Sequence, residues 1–431
     1  MTATALERET ETETKSNFAP ASAIAPAPAA VARPRRRLPA HLAFAGSAAA
    51  FAALYVAAGA PTPLLVVFEG QWHFPASVLT LAFAAYALGL LASLLVAGSL
   101  SDHLGRRPIL IGSLLVELGS MLMFALATNI GIVIAARTIQ GIATGAATSA
   151  FSAAVVEHAP ERHKKRSTVI TAVAPAGGLG LGALLTGAAI QFSSHAALIV
   201  FTVLAVVMAA GTGVVVFSHE TAATRPGAVR ALIPRVSVPE AARREFFAAV
   251  PIHLAAWMLA GLFMGLVPTI IEDVLHLHSG LLNGATAFIE PAAAAVAGLF
   301  LGRLSPRRTI MIGAASVLVG TAVIEAGVAA SALWLLWLGG IIGGVGFGAS
   351  FSGSIRTIAP LVQPHHRAGL FASVYVVAYL SFGVPAIIAG LLIAPIGLSA
   401  TVLGYSVAIL VAAGIGLLAQ RRLAAVPHPF R

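Results

Sequence analysis

The sequence contains no cysteine in 431 residues, which excludes disulfides, thiol nucleophiles and cysteine-ligated metal. Charge is scarce too. Asp, Glu, Lys and Arg make up 10% of the chain, against about 25% in ordinary soluble domains. Acids are fewest, 16 against 26 Lys and Arg, leaving a net charge of +10. No His/Asp/Glu group has metal-ligand spacing: "HLH" (276–278) and "PHHR" (364–367) both fall between apolar runs. No nucleophile triad is visible. "GGVGFG" (343–348) lies inside an apolar run with no strand before it, so it reads as helix packing rather than a nucleotide loop. The residues therefore offer no metal, no cofactor and no catalytic set, and they point away from an enzyme.

What is present is apolar. Hydrophobic residues make up 58% of the chain and the mean hydropathy is +0.92. Most of the 42 glycines and 24 prolines sit inside apolar runs, as membrane helices tolerate. A bilayer core needs about 20 helical residues. Twelve runs reach that length: 42–68, 77–100, 108–127, 130–157, 167–190, 195–217, 247–273, 281–303, 308–329, 332–358, 367–392 and 398–419. The sequence thus predicts an all-α integral membrane protein. Residues 1–41 read as a disordered basic tail, with no apolar core before Arg33 to suggest a signal peptide. Residues 42–217 and 247–419 read as two six-helix bundles, joined by a polar linker over 218–246 and followed by a tail over 420–431.

Basic residues fix an expected orientation. Arg35–Arg37, Arg106/Arg107, Arg162 to Arg166, Arg225 to Arg244, Arg307/Arg308, Arg367 and Arg421/Arg422 fall at alternate connections. Others, such as "EGQWHFPA" and "EDVLHLHSG", hold no Lys or Arg. The positive-inside bias then predicts cytoplasmic termini and a plasma-membrane protein, with the positive charge serving topology and not nucleic acid. The halves also repeat. "AFSAAVVEHAP" (150–160) matches "SFSGSIRTIAP" (350–360), and "RRPILIG" (106–112) matches "RRTIMIG" (307–313). Parallel repeats imply two pseudo-symmetric bundles with a site between them near the midplane.

"GSLSDHLGRR" between the second and third spans, with this topology, resembles the loop signature of the major facilitator superfamily of transporters. Gly98, Asp102, Gly105, Arg106 and Arg107 fill that signature, and "RTIQG" (137–141) is similar to the family's fourth-helix signature. "GALLTG" (182–187) departs from the exporters' fifth-helix pattern at Ala183 and Thr186. The resemblance implies a monomeric secondary transporter that moves a small solute by alternating access. It also implies a gating loop in which Asp102 meets the start of the eleventh helix, around Arg367 to Leu370.

Polar residues within the spans are few, and each needs a partner or water. Arg137, Gln140, Thr144 and Thr148 share one face of the fourth helix. They read as cavity lining, or as a structural site in which Arg137 pairs with Glu117 across the helical hairpin. Glu290, beside Pro291 near mid-membrane, reads as the candidate for exchanging protons, or as a structural acid bonded to another helix. Expected cavity stripes are Ser47, Tyr55 and Thr62; His253 and Trp257; Ser350, Ser354 and Thr357; and Tyr375, Tyr379 and Phe382. This mixed apolar and aromatic lining favours amphipathic organic solutes and proton-coupled efflux. Import of an organic acid by proton symport is the second reading, and a non-transporting membrane sensor or assembly factor the third.

Overall fold

The computed structural model describes residues 37–234, 236–363 and 366–425; the expected terminal tails lie largely outside them. Every regular element among the described residues is a helix. Lipid offers the backbone no hydrogen bonds, so a spanning segment must satisfy its own amides, and the helix does that. Twelve helices are long and apolar enough to cross a membrane, and each overlaps one of the twelve runs read from the sequence.

The first half runs α1 (Ala40–Gly59), α2 (Pro61–Trp72), α3 (Ala76–Ala97), the short α4 (Ser101–Leu104), α5 (Arg106–Ala125), α6 (Ile130–His158), α7 (Lys164–Phe192) and α8 (Ala196–Phe217). A four-residue helix, α9 (Ala228–Ala231), interrupts the connection. The second half runs α10 (Glu240–Gly265), α11 (Val267–Asp273), α12 (Gly280–Phe300), α13 (Pro306–Ala329), α14 (Leu333–Ile358), α15 (Arg367–Ile396) and α16 (Leu398–Ala425).

Two spans are broken at matching places. The first divides into α1 and α2 at Ala60, before Pro61; the seventh divides into α10 and α11 at Leu266, before Pro268. Proline has no amide hydrogen and clashes with the preceding turn, so each ladder loses bonds there. The sequence reading ran straight through both breaks.

Small residues set how closely the helices approach. In the first half α3 meets α6 at Gly141, where an added Cβ would sit 2.9 Å from the Leu90 amide nitrogen and closer still to the Tyr86 carbonyl. The halves meet where α7 crosses α12: a Cβ on Gly284 would lie 2.7 Å from the Gly187 Cα. Ser279 donates to Gln191 Oε1 at 2.9 Å at the same end. These contacts lie away from the face that carries the basic loops. Nearer that face, a Cβ added at Gly298 or Gly302 would meet nothing within 4 Å.

Gly141→Leu is expected to force α3 from α6 at a cost of about 1–3 kcal/mol, read as a lower thermal midpoint of the purified protein. Gly112→Ala on α5, where the added Cβ meets nothing within 4 Å, is the control that should leave the midpoint in place.

Candidate functional site

The break after α1 creates chemistry. Pro61 has no amide hydrogen to offer the Ala57 carbonyl four residues earlier. Gln140 Nε2, from α6, donates to that carbonyl at 2.9 Å. Arg137 Nη1 donates to the neighbouring Ala58 carbonyl at 2.9 Å and to Gln140 Oε1 at 2.9 Å. Gln140 Nε2 also reaches Glu117 Oε1 on α5 at 3.2 Å. The guanidinium lies 4.9 Å over the Tyr86 ring of α3, a cation–π contact. One polar knot therefore joins α1, α3, α5 and α6, and its members are fully buried.

This geometry corrects the expected Glu117–Arg137 pair. The two lie at similar depth but meet through Gln140, which stands between them one turn along α6. Burial makes unmet polar atoms costly, so the amide, with both donors and an acceptor, bridges groups that cannot otherwise all be satisfied. It also alters the expected cavity stripe. The Thr144 hydroxyl turns back to its own helix at Gln140 O, while the Thr148 hydroxyl meets Tyr55 Oη at 3.0 Å. Ser47 is tied to His158 Nδ1 at 3.3 Å.

In the second half the gathered groups are aromatic. Trp257 on α10 is the centre, with Phe347 at 5.0 Å, Tyr379 at 5.0 Å, Phe382 at 6.0 Å and Phe351 at 6.1 Å between ring centroids. Tyr375 stacks on Tyr379 at 6.1 Å. Phe382 reaches Phe83 of the first half at 4.8 Å, and Tyr379 packs on the small cluster holding Ala58, Tyr86 and Leu90. The aromatic group therefore abuts the polar knot. Trp257 Nε1 and both His253 ring nitrogens are enclosed without a partner. The sequence reading found His253, Trp257, Tyr375 and Tyr379 but missed Phe347, Phe351, Phe83 and Tyr86. It placed Ser350 and Ser354 in the cavity. The structure buries both, and a Cβ on Gly313 of α13 would lie 2.7 Å from the Ser350 amide nitrogen. Phe347 and Phe351, also four residues apart, face Trp257 instead.

Glu290 is buried on α12, with Oε1 enclosed and unpartnered. One turn earlier, the Thr286 hydroxyl accepts from Trp337 Nε1 at 2.8 Å. Among the described residues no group of three His, Asp or Glu side chains is arranged to hold a metal.

The loop signature is built around a turn. Gly105 has φ +96°, which only glycine adopts freely. Glu220, just past α8, caps the next helix by accepting from the Arg106 amide at 2.8 Å and the Arg107 amide at 3.0 Å. A Cβ at Gly105 would come within 2.7 Å of that carboxylate, so glycine is required twice over. Arg107 holds the last carbonyls of α8, Val215 at 3.2 Å and Val216. The Gly98 carbonyl accepts from Ser149 of α6 at 3.1 Å.

Asp102 does not occupy the expected position against α15. Among the described residues its partner is Arg106, at 2.5 Å, which also binds Ser101 at 2.7 Å and lies 3.5 Å from Glu157. A cation one turn away outcompetes a helix dipole, whose effect is small and fades within a turn. Glu220 went unnoticed because it belongs to another loop, over a hundred residues along the chain.

Gln140→Leu is expected to strand the Ala57 carbonyl and Glu117 Oε1, at about 1–3 kcal/mol for each unmet group. The check is the thermal midpoint, against Thr138→Ala, whose hydroxyl bonds only within its own helix.

Comparison with known proteins agrees with this architecture. A solved POT family transporter in complex with 5-aminolevulinic acid superposes with a TM-score of 0.70 at 14% identity, over 89% of this chain and 96% of that one. The nucleoside transporter NupG gives 0.65 at 13% identity, covering 89% and 99%. The human organic anion transporter MFSD10 (TETRAN) gives 0.63 at 17%, covering 88% and 100%. In sequence, the 4-hydroxybenzoate transporter PcaK of Pseudomonas putida is 31% identical over 94 residues. That stretch spans about a fifth of each protein, 22% of this chain and 21% of the relative. The family model for the Major Facilitator Superfamily matches residues 43–324. This multi-pass membrane protein, with its two pseudo-symmetric six-helix halves, belongs to the Major Facilitator Superfamily of small-solute transporters.

Proposed function

We propose that the protein is a proton-coupled exporter of flat aromatic or amphipathic organic solutes, working as a monomer in the plasma membrane. One observation carries this reading: the Trp257-centred aromatic group at the junction of the halves, with unpartnered donors at Trp257 Nε1 and His253. The rings touch one another at 5–6 Å and would offer a flat apolar body faces to stack on once the halves part. The free nitrogens supply one or two directional contacts, as ligand sites commonly do. In this proposal the basic face is cytoplasmic, following the positive-inside bias. The halves rock about the buried junction, opening it to each side in turn.

Glu290 carries the proton. Each acid has one buried oxygen without a partner, but the other oxygen of Glu117 accepts from Gln140 beside Arg137, whereas among the described residues Glu290 has no buried Lys or Arg in its half. A carboxyl engaged in no fixed bond can gain and lose a proton as the cavity changes sides. Import of an aromatic acid by proton symport is the second reading, supported by the partial likeness to the 4-hydroxybenzoate transporter. Solute accumulation in everted but not right-side-out vesicles supports export; the reverse supports import.

Glu290→Gln is expected to abolish solute accumulation driven by an imposed pH gradient while leaving solute counterflow in proteoliposomes. Gradient-driven accumulation that survives the change removes Glu290 from coupling. Trp257→Ala removes the central ring on which a flat solute would stack, a contact worth about 0.5–1.5 kcal/mol. It is expected to weaken solute binding by roughly two- to tenfold, read by titration of the purified protein.

A further inference from the structure

The connection between the halves holds apolar side chains that no described residue covers. Val229 is 82% exposed, Ile233 64%, Val236 50% and Leu232 39%. Exposed apolar residues elsewhere lie mainly on spanning helices, where lipid covers them. These four do not. They lie between Phe217, the last residue of α8, and Glu240, the first of α10. Leu104 on α4, which α9 touches, adds a fifth apolar surface at 43%.

The segment is held at the level of the helix ends. The Arg225 amide donates to the His103 carbonyl at 2.9 Å, beside α4. The Ser237 amide donates to the Gly369 carbonyl at 3.3 Å, in the first turn of α15. The described residues from Arg225 to Ser237 are therefore tied to one half at their start and to the other at their end, along the basic face. Pro226, Pro234 and Gly227, whose φ is +102°, keep this stretch from becoming a longer helix. Its charge has one sign. Between Glu220 and Glu240 the sequence has Arg225, Arg230 and Arg235 and no acid.

Apolar side chains interleaved with arginines, at the height where spanning helices leave the membrane, match the headgroup–acyl boundary of a bilayer. Three cations without a compensating acid match an anionic leaflet. We infer that residues 225–237 form an interfacial strap that seats Val229, Leu232, Ile233 and Val236 in the membrane beside the basic face and engages anionic phospholipid through its arginines. Because the strap is bonded to both halves, lipid charge would bias their rocking. This inference does not depend on the solute or on Glu290.

The absence of native cysteine makes the test direct. Val229→Cys and Ile233→Cys, each labelled with an environment-sensitive fluorophore in the full chain, are placed in nanodiscs of phosphatidylcholine alone or mixed with phosphatidylglycerol. The expected result is blue-shifted emission, quenched by spin-labelled lipid, in the mixed discs. Quenching is expected to weaken in neutral discs, in high salt, and when Arg225→Gln is added. The unsubstituted protein gives a second reading: trypsin cleavage at 225, 230 and 235 slows severalfold in the mixed discs. Three results would each overturn the inference. One is water-like emission in every disc. Another is equal quenching in neutral and anionic discs. The third is a blue shift lost on deleting residues 2–32, which would make the acidic N-terminal stretch (Glu7, Glu9, Glu11 and Glu13) the cover instead.

Discussion

The first half turns on two carbonyl groups at the break before Pro61: that of Ala57, which the proline leaves without a helical donor, and that of its neighbour Ala58. In water such groups would find solvent; in hydrocarbon they must find protein. Ala57 and Ala58 find Gln140 and Arg137. That single requirement draws a guanidinium into the membrane, and the buried cation then needs Tyr86 beneath it and an amide linking it to Glu117. The fourth-helix signature is thereby explained without reference to a solute: it mends a kink. Its members are bound to one another and buried, with Glu117 Oε2, Arg137 Nε and Tyr86 Oη left without partners.

The second half does not repeat this knot. At the position repeating Arg137, two hundred residues on, stands Trp337, and the place of Gln140 is taken by Gly340. Trp337 donates to Thr286, while Gly340 makes room for Phe263 of α10. Both halves keep buried polar atoms without partners, Glu117 Oε2, Arg137 Nε and Tyr86 Oη in the first and Trp257 Nε1, His253 and Glu290 Oε1 in the second, but only the first ties its groups into a hydrogen-bonded knot. We regard this asymmetry between duplicated units as the physical basis for placing solute and proton mainly on the second half.

Much of the fold could be read from the sequence because the bilayer imposes a length and a polarity that composition reveals directly. The twelve spans and the paired arginines at their ends follow from that constraint alone. The loop glycine was visible too, since Gly105 needs a backbone that only glycine favours. Other features depend on which way a helix faces. On α14 the pairs Ser350/Ser354 and Phe347/Phe351 have the same four-residue spacing, and periodicity cannot choose between them. The choice is made by the small residue Gly313 on α13, against which Ser350 packs. Similarly, spacing put Glu117 level with Arg137 but could not show that Gln140 would reach both. Glu220 joins its loop only in three dimensions.

The central claim is that an aromatic solute is exported in exchange for a proton carried by Glu290. Proton release on adding an aromatic solute to the purified protein, in weakly buffered solution with a pH indicator, tests it most directly. Release that follows the binding curve, and disappears in Glu290→Gln while binding persists, is the expected result. Saturable binding with no proton released, or with protons taken up, would contradict it.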